Sequence, residues 1–238
     1  MSKPQEDFLD KTSRFLAKRE GIDKTLKVLR YTARLVVSLQ PKDQELTRRL
    51  AAFEKSVGVS RKAFRLGKFL QDVNSLRHSQ TKDAQFFLEL VAYGGEGIYY
   101  FLEQFTWLVK TGALSKDLEE RLAYASAFAE LVGYAGNIWL SLLKLQKLMQ
   151  QEREVEAAIT KTCKEEGVTD AALEAKLGAV RFQRRLRTAF IVQDLADSVM
   201  ALNDVAAGGK IRGISSPVVL ALAGLTSGGI SFYKNWNL

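Results

Sequence analysis

Residues 86–110 read FFLELVAYGGEGIYYFLEQFTWLVK. The apolar part, Phe86 to Val109, is long enough to cross a bilayer at about 1.5 Å of rise per residue. Yet Glu89, Glu96 and Glu103 interrupt it at intervals of seven, and Lys110 continues the series. Seven residues return to nearly the same side of an α-helix, drifting by only about 20°. The acids therefore form one stripe, facing other protein, water or headgroups. Exposed to lipid at the bilayer centre, even one would cost about 2.5–3.5 kcal/mol. The stretch reads as a helix beside a membrane or shielded by protein, not as a simple span. Gly94, Gly95 and Gly97 mark a weak spot or a close helix contact at its middle.

Working outward, the same helical reading extends over the chain. There are three prolines, none between Pro41 and Pro217, which permits long uninterrupted helices. Alternation of period two is nearly absent. Upstream, Ile22 to Gln40 reads as a helix entered at Asp23, with Leu26, Leu29, Ala33, Val36 and Val37 as its apolar stripe and Pro41 closing it. A short helix follows from Asp43 to about Lys55. Downstream, Leu122 to Leu143 belongs to a helix starting near Ser115, with only Glu130 charged inside it and a charged tract following to Glu166. That stretch fits a shielded span or a buried core helix. Asp170 to Asn203 reads as a long amphipathic helix, and Gly208 and Gly209 as a hinge after it. Gly213 to Tyr233 holds no charge over 21 residues and is flanked by Lys210, Arg212, Lys234 and Trp236. Basic and aromatic flanks suit a transmembrane helix, and Gly224, Gly228 and Gly229 give it a small face for packing on another helix. The expected fold is all-α: amphipathic N-terminal helices, hydrophobic helices in or beside a membrane, and a C-terminal transmembrane helix.

Val59 to His78 carries the clearest two-faced pattern. At 100° per residue, Val59, Ala63, Leu66, Phe69, Leu70, Val73 and Leu76 fall within about 140°, and Arg61, Arg65, Lys68 and Asp72 within about 60° opposite them. Lys62 lies at the edge of the apolar arc, where a lysine snorkels its ammonium toward headgroups. These features describe an interfacial membrane helix. They also describe a helix packed on a soluble bundle.

The formal charge is +8, and residues 1–85 hold nineteen Lys and Arg against ten Asp and Glu. Such a segment attracts nucleic acid or anionic headgroups; the helical pattern favours the membrane, and no nucleic-acid partner is expected. Cys163 and His78 are the only residues of their types, so an intrachain disulfide and clusters of Cys or His ligands are excluded. Met1 to Asp10 holds no apolar run, and no secretory signal is expected. No phosphate-loop, dinucleotide, hydrolase or zincin motif occurs. Tyr93 to Gly97 is glycine-rich but follows no strand. No catalytic residue, metal or cofactor is expected, and the chain does not read as an enzyme.

Several segments resemble the peroxin-11 family, in the same order and over nearly the whole chain. Ser60 to Leu70 (SRKAFRLGKFL) resembles the family's amphipathic helix. Arg19 to Lys24 followed by Leu29-Arg30-Tyr31 is similar to its opening helix. Gly95 to Gln104, leading to Trp107 and Gly112, is similar to its central hydrophobic region. Arg187 to Asp194, with Asp197, Ala201, Leu202 and Asn203, resembles the stretch before its last helix. The resemblance implies a peroxisomal membrane protein that self-associates, elongates peroxisomes and helps recruit division machinery. It implies that the helix carried over onto Ser60 to His78 inserts into the cytosolic leaflet. A pore for small metabolites is the alternative it carries, and a soluble helical adaptor is a third class.

Four regions follow: 1–85, basic and amphipathic, with the inserting helix 59–78; 86–150, hydrophobic; 151–209, polar and amphipathic; and 210–238, the transmembrane segment and tail. In the expected mechanism Arg61, Lys62, Arg65 and Lys68 draw the helix to anionic lipid while Leu66, Phe69, Leu70 and Val73 wedge between acyl chains. Gly224 and Gly228 serve helix packing, and many copies assemble.

Overall fold

In a computed structural model, the described residues are 7–40, 44–80, 83–166, 170–206, 211 and 213–237. They form helices and no strand. The helices are α1 (Phe8–Ala17), α2 (Arg19–Leu39), α3 (Gln44–Phe64), α4 (Phe69–Arg77), α5 (Asp83–Lys110), α6 (Glu119–Glu166), α7 (Ala171–Val205) and α8 (Pro217–Asn237), with a 3-10 turn at Lys116–Leu118 before α6.

Local chemistry sets the boundaries. Asp7 accepts from the Asp10 amide and Asp10 reaches back to the Asp7 amide, a capping box that starts α1. Lys18, in extended conformation, ends α1 and opens α2. The corner is tight: a Cβ on Gly21 would run into the Phe15 carbonyl. Asp170 caps α7 by accepting from the Ala172 amide at 2.8 Å. α6 continues without a break from the hydrophobic stretch into the charged tract, and its 48 residues extend for about 72 Å.

Three expectations are corrected here. The segment Val59–His78 is not one helix. α3 ends at Phe64, Gly67 takes φ 71°, and α4 starts at Phe69. Only glycine occupies that left-handed region without strain, so the chain turns there. Asp23 lies inside α2 and is buried, so it does not cap the helix. No helix among the described residues is long and apolar enough to cross a membrane by itself, α8 included. The expected hinge at Gly208 and Gly209, and Lys210 and Arg212, lie outside the described residues.

The helices close into a ring. α2 packs on α3, α3 and α4 on α5, α5 on α6, α6 on α7, α7 on α8, and α8 back on α2. Helices across the ring do not meet at close backbone distance among the described residues. Two seams are drawn tight by glycine. A Cβ on Gly95 of α5 would stand 2.5 Å from the Gly133 nitrogen of α6, and one on Gly136 would stand 2.6 Å from the Ala92 nitrogen. On α8, Gly224 and Gly228 face α2, and Gly224 lets the Tyr31 ring lie flat against the helix backbone. α1 closes the corner, with Phe15 packing on Phe232 and Trp236 of α8 at 4.7 and 5.4 Å between ring centroids.

Candidate functional site

The ring surrounds a cavity of about 630 Å³ that is partly open, and its wall is charged. Taking a charge out of water costs several kcal/mol unless it is paired, and the pairs are there. Asp23 of α2 accepts from Arg61 at 2.9 Å and from Arg65 at 3.3 Å, and Lys24 lies 3.2 Å away. Lys27, one turn on, donates to Asp197 of α7 at 2.8 Å and to the Ser227 hydroxyl of α8 at 2.6 Å. Ser227 in turn donates to the other Asp197 oxygen, so one buried triad ties three helices.

The acidic stripe of α5 supplies the second cluster. Glu103 accepts from Lys62 at 2.8 Å and from Tyr99 at 3.0 Å, and its other oxygen lies 3.1 Å from Arg65. Glu96 accepts from Tyr100 at 3.1 Å and from Asn137 of α6 at 3.4 Å, while Lys68 donates to the Tyr100 hydroxyl at 2.7 Å. Glu89 lies outside the cavity and accepts from Ser79. Glu130 takes the Tyr134 hydroxyl at 2.8 Å.

This arrangement reverses the expected orientation of the basic face. Arg61, Lys62, Arg65 and Lys68 point into the ring, and Arg61 is only 4% exposed. Asp23 of α2 and Glu103 of α5 pair with Arg61, Lys62 and Arg65 at 2.8 to 3.3 Å, and Tyr100 accepts from Lys68. The apolar residues lie outside: Leu66 is 53%, Leu70 59% and Val73 54% exposed. Phe69, like Val59 and Leu76, is half-buried. It is partly buried against Tyr99, Tyr100 and Ala129 and packs edge-on to Phe101 at 5.4 Å. The outer surface continues in the same character with Phe87, Ile98, Phe101, Phe128 and Trp139. Around α4, α5 and the middle of α6 the bundle is charged within and carries apolar side chains outside.

The partners of this cavity were hard to foresee. Asp23, Lys27 and Tyr31 recur at intervals of four along α2, and Asp194 and Asp197 share a face of α7, a spacing that marks a polar face but not its direction. Away from the ring, Arg181 of α7 holds Glu152 and Glu156 of α6 at 3.0 and 2.8 Å, joining the charged ends of both helices. Cys163 is exposed.

The family model described as "Peroxisomal biogenesis factor 11 (PEX11)" matches residues 9–236. The chain belongs to the PEX11 family. It is 46% identical to "Peroxisomal membrane protein 11-3" of Oryza sativa subsp. japonica over 235 residues, covering 98% of this chain and 91% of that one. It is 41% identical to "Peroxisomal membrane protein 11A" of Arabidopsis thaliana over 240 residues, covering 99% and 96%. No solved structure matches it. Family membership gives this PEX11 protein its place, the peroxisomal membrane, and a role in peroxisome biogenesis and proliferation. The family and these relatives are named for an organelle and its membrane and not for a reaction.

Proposed function

We propose that this PEX11 protein shapes the peroxisomal membrane by seating the apolar outer face of its helical ring in the bilayer, with α3, the Gly67 turn and α4 as the element that wedges one leaflet. Copies then assemble side by side, elongate the organelle and present a surface to the division machinery. One observation carries the reading: Asp23, Lys27, Arg61, Arg65 and Glu103 of α2, α3, α5 and the turn before α4 are turned inward, while Leu66, Leu70, Val73, Phe87 and Ile98 face outward. No described helix is long and apolar enough to cross a bilayer alone, yet the ring offers lipid the apolar side chains on its outside. The C-terminal helix α8 reaches the membrane in this reading as part of the ring, with its serine and glycine face on α2 and its other face outward.

The wedge differs from a basic helix lying on headgroups. Arg61, Lys62 and Arg65 are paired with Asp23 and Glu103, and Lys68 donates to Tyr100, so insertion rests on apolar area, at about 25 cal/mol per Å² transferred. Leu66, Leu70 and Val73 enter the acyl region, and Phe69 braces α4 on α5. Area added to one leaflet and not the other favours curvature.

The test is reconstitution of the full chain into anionic liposomes with electron microscopy of their shape. Changing Leu66, Leu70 and Val73 together to glutamate leaves the fold intact, because all three are exposed, and abolishes tubulation. Tubulation equal to that of the parent chain would overturn the wedge. A second reading, a path for small polar molecules, is favoured by the charged cavity itself. The same proteoliposomes separate the two: a pore gives a conductance that changes when Glu96 and Glu103 become glutamine, whereas a wedge gives tubules and none.

A further inference from the structure

Within α1 only Phe15 is buried. The other large apolar side chains of the helix stay outside: Phe8 and Leu9 are each 73% exposed and Leu16 is 41% exposed. At 100° per residue these three fall within an arc of about 100°, while Asp10, Arg14 and Ala17 fall within about 60° on the far side. Thr12, inside the apolar arc, turns its hydroxyl back onto the Phe8 carbonyl at 2.7 Å, so its donor is satisfied within the helix. α1 thus packs on α8 along one edge and leaves an apolar side and a charged side uncovered.

The last turn of α8 continues the apolar side. The Phe8 ring lies 5.8 Å from that of Trp236, the Lys11 ammonium stands 5.0 Å over the same indole, and Tyr233 is 55% exposed. Tryptophan, tyrosine and lysine each join an apolar body to a polar tip, and together they settle where headgroups meet acyl chains. The position of α1 points the same way. Arg19, at the corner after α1, donates to the Leu66 carbonyl at 2.7 Å, so the corner stands beside the Gly67 turn and the exposed Leu66 and Leu70. A second protein is a poor occupant. Three such side chains on a helix of 10 residues offer far less than the about 800 Å² per partner of a stable interface. In a protein of the peroxisomal membrane, lipid is the partner that fits.

We infer that α1 and the last turn of α8 make a membrane contact of their own, apart from the α4 wedge. α1 lies along the bilayer interface, with Phe8, Leu9 and Leu16 among the upper acyl chains, Tyr233 and Trp236 at headgroup depth, and its charged side toward water. The contact rests on apolar and aromatic side chains, so it forms on uncharged lipid as well. It presumes the membrane seat of the ring proposed above and adds a depth stop to it. A helix lying in the interface does not sink with its neighbours, and the Arg19 bond to Leu66 carries its level to the Gly67 turn.

The test uses the full chain carrying Cys163→Ser, reconstituted into vesicles of phosphatidylcholine, with one cysteine introduced at a time and labelled with a nitrobenzoxadiazole fluorophore. Leu9→Cys and Leu16→Cys put the label on the apolar side of α1, Ala17→Cys puts it on the charged side, and Phe87→Cys puts it on the outer face of α5. All four residues are exposed, so the label displaces no packed side chain. A channel-forming peptide lets dithionite reach both faces of the vesicles, and lipids with a nitroxide high on the acyl chain report contact with the bilayer. The labels at Leu9 and Leu16 are quenched by the nitroxide lipid and reduced by dithionite several-fold more slowly than the label at Ala17. The label at Phe87 reports the seat of the ring without α1. Slow reduction at Phe87 with equally fast reduction at Leu9, Leu16 and Ala17 overturns the α1 contact and leaves the ring seat standing. Fast reduction at Phe87 as well overturns both. Equal protection at Leu9, Leu16 and Ala17 also overturns the α1 contact, because the helix then has no side toward water.

Discussion

Replacing Asp23 by alanine removes the one carboxylate on which Lys24, Arg61 and Arg65 converge. Asp23 is 4% exposed, so the cations it leaves behind cannot simply turn to bulk water. Removing one partner of a buried ion pair costs about 3–5 kcal/mol. Arg65 keeps Glu103 as a second partner, which sets the expectation at the lower end, about 3 kcal/mol. For chains of about this length each kcal/mol moves the melting temperature by about 2–4 °C, so the fall is about 6–12 °C. The readout is tryptophan fluorescence on heating in detergent, with Trp107, Trp139 and Trp236 as reporters. Asparagine at the same place keeps an acceptor oxygen and loses the charge, and its effect is smaller than that of alanine. The decisive comparison is the cycle with Arg61→Met. If Asp23 acts by compensating Arg61, the double variant is more stable than the sum of the single losses predicts, because the orphaned cation is gone with its partner. A fall of less than about 2 °C in the alanine variant, or strictly additive losses in the cycle, would refute the claim that this carboxylate holds the inner charges.

Two further expectations concern the seams of the ring. Gly224→Val drives a side chain into the Tyr31 ring and parts α8 from α2, raising the trypsin sensitivity of the C-terminal helix, whereas Gly229→Ala, with nothing within 4 Å of the added Cβ, changes nothing; equal protection in both would undo the packing argument. Gly95→Val meets backbone of α6 that cannot yield and costs at least the 1–3 kcal/mol of an overpacked core, read as lowered melting temperature with the cavity lining unchanged in composition.

The helices were legible in the sequence, and their inside was not. Freedom from proline between Pro41 and Pro217, the seven-residue spacing of Glu89, Glu96 and Glu103, and the helix read from Asp170 to Asn203 all lead to elements that are present. α1 escaped notice because its apolar residues, Phe8, Leu9, Phe15 and Leu16, are few and spread among charges, although Asp7 and Asp10 carry the capping-box spacing. The break at Gly67 escaped because the apolar period runs through it unaltered; only φ 71° reveals it. The orientation of Arg61, Arg65 and Lys68 escaped for a deeper reason. Periodicity divides a helix into two faces and leaves open which one points inward. The direction was set by residues far off in the chain, Asp23 and Glu103, whose carboxylates become neighbours only when the ring closes.

That inversion also accounts for a C-terminal stretch without charge that is nonetheless only mildly apolar. Its small and polar residues are those of the inward face: Ser227 is fully buried and bonded to Asp197 and Lys27, and Ser231 is buried beside it on the same side of α8. Gly224 and Gly228 bring that face close enough to α2 for the Lys27 ammonium to reach Ser227 at 2.6 Å. A leucine in place of either glycine would raise the hydropathy of α8 and push Ser227 away from the pair it completes. Hydropathy counted along one helix therefore undervalues such a segment, since half of its surface answers to charges on its neighbours. The quantity that matters to a bilayer is the character of the outward half, and on α8 that half includes Val219, Leu222 and Tyr233.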